Sequence, residues 1–97
     1  MEYILFIHNN TESDTSKEEW DSFFDSAIQS GLFRGGSEIG NRSQLGRKPV
    51  TDITVSIGGF MRFETEDFDS LVSLLEQHPV VTHGGTLELC ELPKTDA

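Results

Sequence analysis

Cysteine is almost absent from this chain. Cys90 stands alone, so neither a disulfide framework nor a Cys-x-x-Cys metal site can form within it. Basic residues are scarce as well: seven Lys and Arg face seventeen Asp and Glu, for a formal net charge of −10. Nucleic acid and anionic membrane surfaces both require clustered Lys and Arg, so this balance argues against either partner. No run approaches the ~18 apolar residues of a membrane span. Met1 leads at once into a strand-like run with no basic region ahead of a long apolar stretch, which predicts a cytoplasmic protein. Without a secretory signal, the sequons Asn9-Asn10-Thr11 and Asn41-Arg42-Ser43 are chance matches. Phosphate-loop and dinucleotide-binding patterns are missing. No two of the three histidines stand four apart as on a metal-binding helix, so neither cofactor nor metal is expected.

What is present is organised. Ninety-seven residues, 1–97, make one domain near the lower limit for a single core, and seven Phe suggest that the core is built on aromatic rings. Tyr3-Ile4-Leu5-Phe6-Ile7 is apolar without alternation, as in a strand buried on both faces. Thr15 or Ser16, with Glu18 or Glu19 three residues on, offers a capping box. Trp20, Phe23, Phe24, Ala27 and Ile28 then trace one buried helical face, and Gly31 is placed to end the helix left-handed.

Leu32–Ile39 reads as a second strand, with Gly35-Gly36 marking a bulge or bend. Residues 40–49 are loop-like, and Val50–Glu64 reads as a third strand in which Ile53, Val55 and Ile57 alternate with Asp52, Thr54 and Ser56. Gly58-Gly59 would bulge that strand. Phe68, Leu71, Val72, Leu74 and Leu75 form the face of a second helix that Pro79 ends, and Thr86–Leu92 is a last strand. The order β-α-β-β-α-β predicts a ferredoxin-like α+β fold: a four-stranded antiparallel sheet with two helices on one face. Two helices cover only one face, yet Ile4 and Phe6 are as apolar as their neighbours. A second copy of the sheet is the simplest cover, which predicts a homodimer.

Met1–Ile7, the Trp20 helix, Gly31-Leu32 and the passage from Gly58-Gly59-Phe60 through His78-Pro79 to Gly84-Gly85-Thr86-Leu87-Glu88-Leu89 resemble the YCII-related proteins, nearest to the DGPF group. The resemblance implies a dimeric α/β barrel, two such sheets packed face to face, and no settled activity. Some YCII-like members carry a His on the first helix and an Asp before the proline, proposed as an acid–base pair. Here the first helix has no His, His78 precedes Pro79, and the DGPF tetrapeptide is missing, with Asp52 the one acidic residue of its segment. That pair therefore does not transfer to this chain.

The residues themselves leave two functions open. One is a binding or interaction module with a cleft between sheet and helices and no chemistry of its own. The other is an enzyme acting on a small anionic metabolite. For catalysis the candidates are His78, whose pKa a helix C-terminus would raise, and His8, at the end of the first strand on the face of Ile4 and Phe6. For anion binding they are Arg42, Arg47 and Lys48 in the loop, with Arg62 on the third strand. Each has a plainer reading. His78 can cap the helix that precedes it, His8 can be a satisfied strand-end residue, and the loop cations can be solvated. His83 reads as solvated in its turn, and Cys90 as a small buried hydrophobe.

Overall fold

The computed structural model of the chain describes residues 1–50 and 54–94. Seven elements follow in order: β1 (Glu2–His8), α1 (Lys17–Ser30), β2 (Phe33–Glu38), β3 (Ile57–Glu64), α2 (Phe68–Leu75), α3 (Pro79–Thr82) and β4 (Leu87–Leu92). The strands form one sheet in the order β2-β3-β1-β4, every neighbouring pair antiparallel. This is the expected βαββαβ arrangement, with one short helix added. The core lies between one sheet face and the helices: Tyr3, Leu5, Met61 and Phe63 from the strands meet Phe23 and Ala27 of α1 and Leu71, Leu74 and Leu75 of α2.

Local sequence explains how the elements begin and end. Ser16 caps α1 by accepting from the Glu19 amide, while the Glu19 carboxylate accepts from the Ser16 amide, completing the capping box. Gly31 closes the helix at φ 75°, with its N–H donating to the Ile28 carbonyl. Replacing Ser16 with Ala is expected to lower stability by about 1 kcal/mol. Urea denaturation should show a shifted midpoint with an unchanged slope. Both glycine pairs sit at irregular places in the sheet. Gly58 is the extra residue where β1 passes from Ile7↔Gly59 to His8↔Ile57, and Arg34 is the extra one between Phe33↔Phe63 and Gly35↔Arg62.

Three expectations change. The third strand begins at Ile57, not Val50: its ladder with β1 stops at the pair His8↔Ile57. Residues 54–56 turn instead, closed by the Ile57 amide on the Thr54 carbonyl, and Val55 is exposed. Asp52 and Ile53 lie outside the described residues. Second, Pro79 not only ends one helix but opens another: it is the first residue of α3, where its missing N–H costs nothing. Third, Cys90 is only half-buried. It pairs with Ile4 on the sheet face opposite the helices, so it lies outside the core.

Candidate functional site

Alternation along the strands puts Tyr3, Leu5, Met61 and Phe63 on the helix side, and Ile4, Phe6, Phe60 and Cys90 on the other. The sequence candidates divide between these sides and the loop.

His78 lies on the helix side, fully buried. Its ring meets Trp20 edge-on at 4.8 Å and Phe23 at 4.5 Å between centroids. Nδ1 accepts from the Val80 amide at 3.1 Å, which assigns the neutral ring's proton to Nε2, and Nε2 has no nitrogen or oxygen partner among the described residues. Burial among apolar rings pushes the pKa down from 6.5 to about 4. The expected rise is therefore corrected. α2 ends at Leu75, and the His78 side chain instead caps the start of α3 as a neutral acceptor. One nitrogen holds the backbone and the other is sealed from solvent, so His78 organises structure in this conformation.

His8 lies on the opposite sheet face, its side chain 20% exposed. Nδ1 is 3.0 Å from Ser56 Oγ and Nε2 is 3.0 Å from Glu88 Oε1. The sheet separates the two histidines. The cations are dispersed too. Arg42 donates to the Ile57 and Gly40 carbonyls and shares with Lys48 a hollow of about 390 Å³ in the loop. Arg47 is exposed and does not line that hollow. Arg62 stands on β3 with its guanidinium 3.7 Å from Glu2. No single site gathers Arg42, Arg47, Lys48 and Arg62.

His83 was expected to be solvated, yet its side chain is 21% exposed and bonded at both nitrogens. Ser13 Oγ is 2.7 Å from Nδ1 and Glu19 Oε2 is 2.6 Å from Nε2. His83 and the Ser16 hydroxyl hold the Glu19 carboxyl below its ordinary pKa. That contribution is complete above the ordinary carboxylate value and fades as pH falls through the depressed one. The set joins distant pieces of chain. The Glu12 amide donates to the His83 carbonyl, and Asn10 exchanges two hydrogen bonds with Thr86. Ser13, His83 and Glu19 thus pin the β1–α1 loop to the turn before β4. Sequence spacing gave no sign of this, because the partners stand 64 and 70 residues apart.

A cleft of about 370 Å³ opens between α1 and the β1–β3–β2 part of the sheet. Trp20 and Phe24 come from α1, Ile7 from β1, Phe33 and Gly36–Glu38 from β2, and Gly58–Met61 from β3, with Asn9 beside them. Trp20 is anchored by its indole N–H on Thr15 Oγ1 at 2.9 Å. Trp20 and Phe24 centroids stand 6.0 Å apart, and Phe24 and Phe33 6.1 Å apart, so three rings follow one another along a wall. Gly59 pairs with Glu38 across the sheet, leaving no side chain opposite that carboxylate. Sequence reading placed Trp20 and Phe24 in the core. The buried members of that helical face are Phe23 and Ala27, while Trp20 and Phe24 remain half-buried at the cleft.

Among the described residues, no group of His, Cys, Asp or Glu is arranged to hold a metal ion, and no helix is long and apolar enough to cross a membrane. No protein-family model and no curated protein matches the chain. Among solved structures it is similar to 5-chloro-2-hydroxyhydroquinone dehydrochlorinase (TftG) from Burkholderia phenoliruptrix AC1100, in complex with 2,5-dihydroxybenzoquinone. Identity is 15%, 98% of this chain and 96% of that chain are covered, and the TM-score is 0.47.

Proposed function

We propose that this protein is a small-molecule-binding domain whose ligand lies in the cleft between α1 and the sheet. The observation that carries this reading is the cleft itself: three successive aromatic side chains form a wall and glycines form part of the floor, so flat apolar surface is offered where bulky side chains would close it. A reaction on an anionic metabolite has less support, because no Arg, Lys or His lines the cleft among the described residues. The order of motifs from Met1 to Leu89 supports placing the chain with the YCII-related proteins. The uncovered face bearing Ile4, Phe6 and Phe60 supports a homodimer formed through the sheet.

Titration with p-cresol, followed by amide chemical shifts, tests the binding reading. Dissociation constants on the order of 1 mM are expected, with shifts clustered at Trp20, Phe24, Phe33 and Gly59. A Cβ at Gly59 would stand 3.1 Å from the Ser37 carbonyl and 3.7 Å from Ile7 Cδ1. Gly59→Val is therefore expected to fill the cleft and weaken binding at least tenfold while circular dichroism still reports a folded chain. Shifts scattered over the surface, or binding unaffected by Gly59→Val, would rule the cleft out as the site.

A further inference from the structure

We infer that the ligand of this cleft is a quaternary or methylated ammonium compound, an inference that rests on the binding reading above and names its chemistry. Three features of the same cavity converge. Trp20, Phe24 and Phe33 present successive rings, the side-chain type whose electron-rich faces attract organic cations. Among the described residues, Glu38 is the only charged one lining the cleft, and no Lys or Arg there opposes it. Its carboxylate makes no hydrogen bond or ion pair among the described residues, and its cross-strand partner is Gly59, which has no side chain to set against it.

Alternation supports the placement. Glu38 is two residues from Gly36, which pairs with Met61 on the helix side, whereas Ser37 pairs with Phe60 on the other. The charged side chain thus shares the side on which the aromatic wall stands. A neutral arene would use the wall and leave the carboxylate idle, and an anion would meet it head-on. A methylated ammonium group uses both: its methyl groups spread over the rings and its charge is balanced by Glu38. The net charge of −10 favours the approach of such a ligand over the whole surface.

The test compares choline with its uncharged carbon isostere, in which tert-butyl replaces trimethylammonium, each titrated into the full chain and followed by amide shifts. Choline is expected to bind at least tenfold more tightly, with shifts at Trp20, Phe24 and Glu38. Glu38→Gln, an exposed substitution, is expected to weaken choline several-fold and leave the isostere unchanged. Trp20→Phe, which keeps a ring on the wall, is expected to weaken choline more than the isostere. If the isostere binds in the cleft as tightly as choline, the cationic ligand is overturned while the binding site stands. If neither compound shifts the cleft residues, and p-cresol does not either, both readings fall.

Discussion

Between pH 7 and pH 4 the protein is expected to lose about 3 kcal/mol of folding stability through His78 alone, beyond what its carboxylates contribute. The native ring has a pKa near 4 and the unfolded one near 6.5. At roughly 1.4 kcal/mol for each tenfold difference in proton affinity, the gap amounts to about 3 kcal/mol. The sign follows from proton counting. Below 6.5 the unfolded chain takes up a proton that the folded ring refuses, so unfolding becomes easier as pH falls, and the loss is complete near pH 4. Above 6.5 neither state is charged and the penalty is gone. This is opposite to a helix-end histidine, which would be most stabilising when protonated.

Asn at position 78 isolates the effect. It retains an oxygen to accept from the Val80 amide, the capping role for which Asn is well suited, but does not titrate in this range. His78→Asn is expected to be less stable at pH 7 by about 2 kcal/mol, because it loses the ring packed against Trp20 and Phe23 and leaves a cavity. Its stability should then fall less steeply with acid, so that the two curves cross at about pH 5 and the variant is the more stable by about 1 kcal/mol at pH 4. Equilibrium urea denaturation at pH steps between 7 and 4 measures both curves. Parallel curves would show that His78 is not desolvated in the native state.

The fold was legible where the signal is local. The Ser16–Glu19 capping box, the left-handed Gly31, the bulge at Gly58 and the strand–helix order all depend on residues near one another in the chain. The site was not legible, because its determinants are set by distance in space. His83 finds Ser13 and Glu19 across some 64 to 70 positions. The sequence pattern gives Trp20, Phe23 and Phe24 the same apolar character, and only the sheet's path decides that Phe23 is buried while the other two border a cleft. His78-Pro79 misled for a related reason. A proline that stops one helix and a proline that begins another look alike until the next turn is seen, and that choice reverses the expected charge of the histidine.

Two phenylalanines on β3 should distinguish a covered sheet from a bare one. Phe63 is 1% exposed, packed at 5.6 Å from Phe33 on the helix side, and Phe63→Ala is expected to cost about 4 kcal/mol. For a domain whose total stability is on the order of 5–15 kcal/mol, that is a loss large enough to leave a visible unfolded fraction. The loss should be the same at every protein concentration, since the cavity lies within one chain. Phe60 points the other way, opposite Phe6 and beside Ser37, and is half-buried. On an isolated domain, Phe60→Ala should cost no more than about 1 kcal/mol. If a second copy covers this face, the wild-type unfolding midpoint must rise with protein concentration, by mass action. Phe60→Ala should then lower that midpoint strongly, and the concentration dependence should weaken as the pair separates. Denaturation at two concentrations a hundredfold apart, with light scattering on the same samples, separates the cases. A wild-type midpoint that does not move, together with a monomer mass, would leave Ile4, Phe6 and Phe60 as an open surface and remove the homodimer from the reading.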